Sequence, residues 1–178
     1  VRCVLEYCRE KGLDYYHKMS HTGFLRNLLI RRSASSGEIM AAIVTSSQND
    51  HSFTELKDRS LKLELEGSIA GFLHMTNDSV ADVVRSEKTG ILYGKDCIYE
   101  EILGLRFKIT PFSFFQTNTK GAEVLYSIAR DFIGNIENST VFDLYSGTGT
   151  IGQVLAPAAG KVIGVEIVEE AVEAAKEN

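Results

Sequence analysis

The segment Val141–Gly152, VFDLYSGTGTIG, decides how the rest of the chain is interpreted. Its first residues are mostly apolar and β-prone, and they lead directly into a glycine-rich turn, Ser146–Thr150. A stretch compatible with a helix follows the turn. Strand, glycine turn and helix in this order build nucleotide sites in α/β sheets. Glycine lets the backbone approach a ligand, and the helix N-terminus presents unpaired N–H groups.

Three interpretations of this turn are open from the residues alone. Gly147, Gly149 and Gly152 satisfy the G-x-G-x-x-G pattern of dinucleotide sites, and Glu166 follows about 20 residues later, where such sites place a ribose-binding acid. Asp143 favours S-adenosylmethionine instead, because a carboxylate near the turn would repel a pyrophosphate and attract a cationic ligand. The third interpretation is a glycine turn that binds no ligand.

The sequence also resembles a known family. DLYSGTGTIG, followed by VIGVEIVEEAVEAAKEN and preceded by SFFQTN, is similar to the RNA 5-methyluridine methyltransferases. These enzymes use S-adenosylmethionine to methylate uracil C5 in ribosomal or transfer RNA. HTGFLRNLLIRRS and GEIM near the start resemble the central domain of the bacterial 23S ribosomal RNA members most closely. The resemblance implies an α/β protein: an α+β central domain, residues 1–111, and the N-terminal portion of a Rossmann-like methyltransferase domain, residues 112–178.

The resemblance assigns cofactor contacts by position. Glu166 would take the ribose hydroxyls, and Tyr145 would lie beside the adenosyl group. Where relatives often carry Asn, this chain has Thr150, so that contact departs from the family pattern. The implied S-adenosylmethionine contacts are Gln116, Asp143, Tyr145, Gly147, Gly149, Thr150 and Glu166.

The resemblance implies no catalytic residue in this chain. The family adds a cysteine to uracil C6, transfers the methyl group to C5 and then removes the C5 proton with a base. The nucleophile follows an Asp-Pro-Pro-Arg sequence that these residues lack, and Cys3, Cys8 and Cys97 all precede the glycine turn. We therefore expect a fragment that is inactive alone, with no metal site and no iron–sulfur cluster.

Composition is ordinary for a globular protein, with 44% hydrophobic and 24% charged residues and a net charge of −5. The absence of a C-x-x-C pair, a signal peptide and a long apolar run predicts a cytoplasmic protein without membrane contact. Residues 1–32 are basic, with seven Lys and Arg against three acidic residues. This segment could meet RNA phosphates, so a non-catalytic RNA-binding module built on residues 1–110 is a competing hypothesis, beside a dinucleotide-binding oxidoreductase fragment.

Hydrophobic periodicity predicts the secondary structure. The sheet of the first domain should be largely antiparallel, and the first strand of the second domain should have one unpaired edge, through which the fragment could self-associate. The predicted elements are a helix over Val1–Lys11, a hairpin of Gly23–Arg32 with Ile39–Thr45, a helix with a Ser52/Glu55 capping box reaching about Glu66, an amphipathic helix over 119–133 ended by Gly134, and a β-α-β-α run over 140–177.

Overall fold

The computed structural model describes residues 1–80 and 87–178. In chain order the elements are α1 (Arg2–Glu10), β1 (Leu25–Arg32), β2 (Glu38–Thr45), α2 (Thr54–Leu61), β3 (Ser68–Thr76), β4 (Lys88–Gly94), β5 (Ile98–Ile102), β6 (Leu105–Ile109), α3 (Thr119–Ile133), β7 (Ile136–Leu144), α4 (Thr150–Leu155), a 3₁₀ turn (Ala156–Ala158), β8 (Ala159–Val165) and α5 (Glu169–Glu177).

The chain forms two compact units. The first comprises Val1–Ser33, Gly37–Ile98 and Thr110–Phe112. The second comprises Ala34–Ser36, Tyr99–Ile109 and Ser113–Asn178, so most of the β5–β6 hairpin lies with the glycine-turn segment. The division of the protein into domains at residues 111 and 112 stays a prediction.

A four-stranded sheet in the order β1-β2-β3-β4 forms the first unit. The predicted β1–β2 hairpin is confirmed, and β3 and β4 are also antiparallel. The β2–β3 pair is parallel, which the expectation of a largely antiparallel sheet did not include. The reason is the connection: α2 carries the chain back across the sheet, and a crossover of this kind returns the next strand in the same direction.

One apolar core holds the first unit together. It joins Tyr7 and Cys8 of α1, Leu56 of α2 and Phe72 of β3, each less than 9% exposed. Phe53, immediately before α2, stacks on Phe24 with ring centroids 6.0 Å apart. Both helices therefore bury their apolar stripes against the sheet, which is why these short helices are stable.

The predicted capping box at the start of α2 is wrong. The N-cap is Phe53, and its side chain makes no capping hydrogen bond. Ser52 Oγ hydrogen-bonds to Thr54 Oγ1 at 3.0 Å. The Glu55 carboxylate instead lies 2.7 Å from the Lys11 ammonium and 2.6 Å from the Arg59 guanidinium. Ion pairs with Lys11 and Arg59 thus outcompete the local backbone contact for the glutamate.

The hairpin β5–β6 belongs to the part of the fold that carries the glycine turn. Leu103 and Gly104 connect its strands, with φ values of +50° and +80°. Two consecutive left-handed residues make the turn type whose twist matches antiparallel strands. Leu103 and Gly104 thus form a tight turn between β5 and β6.

The second unit builds its core where α3 and α4 meet the hairpin. Ile102, Phe107, Ala122, Tyr126 and Val154 are all buried together. The predicted amphipathic helix is confirmed as α3, and Gly134 ends it with φ +67°. Ala122 and Tyr126 come from one face of α3, as their spacing of four residues predicts.

The β-α-β-α run is also confirmed. Strands β7 and β8 are parallel, with Val141 opposite Val162 and Asp143 opposite Gly164. The helix α4 connects them, so the ends of both strands lie at the edge where the glycine turn leaves β7. In the described parts of the chain, no helix has the length and apolar character needed to cross a membrane.

Candidate functional site

The glycine turn between β7 and α4 has an unusual backbone. Gly147 and Gly149 have φ values of +54° and +77°, which favour glycine because it has no Cβ. Tyr145, the residue after β7, also has a positive φ of +64°. Left-handed backbone at a residue other than glycine costs about 1–3 kcal/mol and is concentrated at functional sites. The Tyr145 side chain is 92% exposed at the end of the strand.

Asp143 fixes the helix that follows the turn. Its Oδ2 accepts a hydrogen bond from the Gly152 N–H at 2.8 Å. Gly152 lies in the first turn of α4, where N–H groups have no partner within the helix. A Cβ at Gly152 would lie 3.1 Å from this carboxylate and 3.3 Å from Val162 Cγ1. The third glycine of the pattern is therefore explained by close packing of helix, strand and carboxylate.

Glu166, just after β8, links the glycine turn to the end of that strand by hydrogen bonds. Its Oε2 accepts from the Gly147 N–H at 2.8 Å, and its Oε1 accepts from the N–H groups of Ile167 and Val168 at 2.8 Å each. The Ser146 N–H adds a bond to the Val165 carbonyl at 3.1 Å. Hydrogen bonds from Val168 and Gly147 lower the pKa of the Glu166 carboxyl below its ordinary value. Glu166 is thus an anion whose carboxylate lies against the glycine turn.

A cavity of about 660 Å³ adjoins the turn. This volume lies within the roughly 300–1,000 Å³ of small-molecule sites. Three predicted cofactor contacts line it, namely Asp143, Gly149 and Glu166. Lys176, which also lies at its wall, is paired with Glu173 at 2.7 Å. The cavity wall therefore carries two carboxylates and one lysine, and this lysine is ion-paired with Glu173.

The described lining of the cavity does not include the other predicted contacts, namely Gln116, Tyr145, Gly147 and Thr150. Thr150 begins α4, and its Oγ1 lies 3.3 Å from Thr148 Oγ1. Gln116 is exposed in an irregular segment that precedes α3. Asn118, the N-cap of α3, accepts from the Gly121 N–H at 3.0 Å. All these positions belong to the second unit.

A buried acid that the sequence interpretation missed lies on β5. Glu100 is 2% exposed, and it accepts hydrogen bonds at 3.1 Å or less from three backbone N–H groups and the Thr119 hydroxyl. A signal for it existed, because Ile98, Glu100 and Ile102 alternate along one strand face and both isoleucines are fully buried. A carboxylate flanked at i±2 by buried residues must itself be buried and hydrogen-bonded.

The arginines of β1 make structural contacts in the first unit. Arg26 donates to the carbonyls of Asn77 and Ser79 at 2.7 and 2.9 Å, and its guanidinium lies 4.2 Å from the centre of the Tyr16 ring. Arg31 donates to the Pro111 carbonyl at 3.1 Å. These contacts favour a structural role for both side chains over phosphate binding.

Comparison with known proteins adds evidence on the fold. No protein-family model matches the chain. It is 54% identical over 178 residues to an "uncharacterized RNA methyltransferase" of Clostridium tetani and 53% identical to one of Clostridium acetobutylicum, covering 100% of this chain and 39% of each relative. The chain thus spans about two fifths of the length of the curated relatives it matches.

Among solved structures, the tRNA (uracil-54, C5)-methyltransferase of Pyrococcus abyssi in complex with S-adenosyl-L-homocysteine aligns with a TM-score of 0.76 at 27% identity, over 99% of this chain and 41% of that one. The chain has a Rossmann-like methyltransferase fold. This fold confirms the α/β class predicted from the sequence. The complex of aTrm5 with tRNALeu aligns with a TM-score of 0.52 at 16% identity, over 95% of this chain and 44% of that one, and agrees in fold alone.

Proposed function

We propose that this chain is the cofactor-binding part of an S-adenosylmethionine-dependent RNA methyltransferase that acts on uracil C5, with 23S ribosomal RNA as substrate. The observation that carries the proposal is the pair of carboxylates, Asp143 and Glu166, in the wall of the cavity beside a strand–glycine turn–helix unit. Its relatives at 54% and 53% identity, each named as an RNA methyltransferase, support the reaction class.

The charge of the cavity fits this cofactor. Glu166 suits the ribose hydroxyls of either ligand, so the distinction rests on Asp143, whose carboxylate a pyrophosphate at the glycine turn would approach. Repulsion between like charges in a partly desolvated site disfavours that ligand. S-adenosylmethionine carries a sulfonium and an ammonium cation and has no phosphate. The negative charge beside the glycine turn therefore favours S-adenosylmethionine over a dinucleotide.

Individual residues take defined roles in this proposal. Glu166 exchanges its bond to the Gly147 N–H for the ribose hydroxyls, and Tyr145 presents its exposed ring to the adenosyl group. Gly147 and Gly149 allow close approach of the backbone. Gln116 contacts the ligand from the segment before α3. The bound cofactor supplies an electrophilic methyl group.

The cysteines of this chain do not suit the nucleophilic step. Cys8 and Cys97 are each 7% exposed, and burial raises the pKa of the Cys8 thiol. Cys3 packs against the core of the first unit. Attack on uracil C6 requires an accessible thiolate, which burial in apolar surroundings disfavours. We therefore propose that the chain binds cofactor and does not transfer the methyl group by itself.

Calorimetric titration of this chain with S-adenosylhomocysteine and with NADH tests the cofactor. We expect S-adenosylhomocysteine to bind and NADH not to bind. Glu166→Gln should weaken S-adenosylhomocysteine binding about tenfold, because a charged acceptor for two hydroxyls is lost. Glu170→Gln, on the exposed first turn of α5, removes the same charge and should leave the Kd unchanged. Binding of NADH alone would support an oxidoreductase fragment.

The substrate is tested with the full-length protein that carries this sequence. Tritiated methyl transfer to transcribed 23S ribosomal RNA and to tRNA, each followed by nucleoside analysis, should show 5-methyluridine in the ribosomal RNA. Methylation of tRNA alone would replace the ribosomal substrate by tRNA and keep the reaction. A methylated base other than 5-methyluridine would overturn the uracil-C5 proposal.

A further inference from the structure

Glu100 forms a hydrogen-bonded cluster inside the second unit. Its Oε2 accepts from the Ala34 N–H at 2.6 Å and from the Thr119 hydroxyl at 3.0 Å. Its Oε1 accepts from the N–H groups of Ser35 and Glu101 at 2.9 and 3.1 Å. Burial raises the pKa of this carboxyl, but hydrogen bonds from Ser35, Ala34 and Glu101 outweigh burial and lower it to about 2. The cluster therefore holds a buried anion.

The Thr119 contact links this anion to the start of α3. Thr119 is the first residue of the helix and is 9% exposed. A negative charge next to a helix N-terminus is favourable because the helix dipole is positive there. A hydrogen bond to a charged acceptor is about twice as strong as a neutral one. The first residue of α3 is thus held in one position relative to β5.

The segment just before Thr119 has no regular secondary structure. Ser113–Asn118 forms neither helix nor strand. Phe115 packs against the core of the second unit, with its ring 6.1 Å from that of Phe107, and this core includes Val154 of α4. Gln116 is exposed between Phe115 and Thr119. Gln116 therefore lies between two anchored positions, one residue after Phe115 and three residues before Thr119.

We propose that Glu100 is a positioning residue, which through the Thr119 hydroxyl holds the segment before α3 so that Gln116 is pre-organised to contact the cofactor. This inference rests on the proposed function. Pre-organisation matters because a contact that must first be ordered loses part of its binding free energy. Glu100 itself is buried and acts only through Thr119 and the backbone that leads from Thr119 back to Gln116.

A double-mutant cycle on this chain tests the inference, with the Kd for S-adenosylhomocysteine as the readout. Thr119→Val removes the hydroxyl at constant shape and should weaken binding about fivefold to tenfold. Thr119→Ser restores the hydroxyl and should return the Kd to that of the wild type. In a Gln116→Ala background, Thr119→Val should have no further effect, because the two residues act in one pathway.

A second variant and a second measurement separate positioning from general destabilisation. Glu100→Gln should weaken binding at least as much as Thr119→Val, whereas Glu101→Gln, its exposed neighbour, should not change the Kd. Amide hydrogen exchange should be faster over 114–117 in Thr119→Val and unchanged in β7.

The outcomes are distinguishable. If the wild-type chain binds no S-adenosylhomocysteine, both the proposed cofactor and the positioning role are overturned. If the wild type binds and Thr119→Val binds equally well, the cofactor proposal stands and the positioning role fails. It fails also if the effect of Thr119→Val persists in full without Gln116, or if Gln116→Ala leaves the Kd unchanged.

Discussion

The parallel strand pairs β2–β3 and β7–β8 both contain apolar residues, but their environments are opposite. In the first unit, every residue from Met40 to Ser46, in β2 and just after it, is buried. In the second unit, Phe142 and Leu144 of β7 are 61% and 60% exposed, and Val165 of β8 is 49% exposed. The sheet of the first unit is covered by α1 and α2, and β2 has a strand on each side. An apolar strand pattern therefore shows that a strand can be buried, but the strand is buried only where neighbouring elements cover it.

The largest expected effect compares two phenylalanines. Phe72→Ala should cost about 3–5 kcal/mol in the free energy of unfolding, because the side chain is 1% exposed and its removal leaves a cavity. Phe142→Ala should cost less than about 1 kcal/mol, since that side chain is mostly in water already. Urea unfolding of both variants measures the difference. Equal losses would show that the face of β7 is covered in solution.

Substitution of Glu100 should give the second largest effect on the free energy of unfolding. It extends the comparison of buried and exposed strands, because Glu100 lies in the buried part of the second unit. Its pKa of about 2 lies below the ordinary value of 4.5, so the stabilisation is full above the ordinary value and is lost as pH falls through about 2. Glu100→Gln should cost on the order of 2–3 kcal/mol at neutral pH. The gap to the wild type should close between about pH 4.5 and pH 2 in denaturation series. A gap that is independent of pH would contradict a buried anion.

The loop glycines come next. Gly149→Ala should cost about 1–2 kcal/mol, because φ is +77° and the new Cβ would lie 3.1 Å from Ala175 Cβ. Gly147→Ala should cost about 1 kcal/mol or less, since φ is +54° and no heavy atom lies within 4 Å of the position that the new Cβ would take. Thermal unfolding of the two variants gives the order. A larger loss at Gly147 would show that strain, rather than packing against α5, dominates the turn.

The smallest effect on stability is expected for a double substitution on β7, which should instead change the self-association of the chain. Phe142→Thr with Leu144→Thr should change the free energy of unfolding by less than about 1 kcal/mol and shift light scattering toward monomer, because both exposed side chains lie on one face of β7. Ile91→Thr, 53% exposed on β4, is the control and should leave the scattering mass unchanged. Self-association through the unpaired edge of β7 stays a prediction until this measurement. A wild-type chain that is monomeric at all concentrations would contradict it.

Local patterns predicted the elements around the site well. Apolar residues four apart and Gly134 predicted α3 with its observed bounds, because a helix needs only its own periodicity and a glycine to end it. The β-α-β-α order and the turn at Gly147 and Gly149 followed from strand, glycine and helix signals in sequence. The predicted capping box failed at Glu55, since Lys11 and Arg59 compete for its carboxylate from another helix and from the next turn.

Non-local contacts decided what the sequence interpretation missed. The parallel pairing of β2 with β3 depends on where the crossover helix α2 docks, which no local pattern records. The donors to Glu100 come from residues 34, 35, 101 and 119, so its burial is visible in the alternation of β5 but its partners are not. Glu166 was predicted as a ligand contact, and the structure adds that its carboxylate holds the Gly147 N–H.

The sequence by itself determined the fold class of the protein. The strand, glycine turn and helix of Val141–Gly152 can be recognised from their residue types, because backbone conformation and periodicity are local properties. The tertiary structure alone decided which acidic side chains accept hydrogen bonds from the backbone or from a hydroxyl, and which groups donate them. Asp143 reaches Gly152, Glu166 reaches Gly147 and Glu100 reaches Thr119 only after the chain has folded. A carboxylate loses its hydration on burial and must find donors in space, and these donors lie up to 66 residues away in the chain.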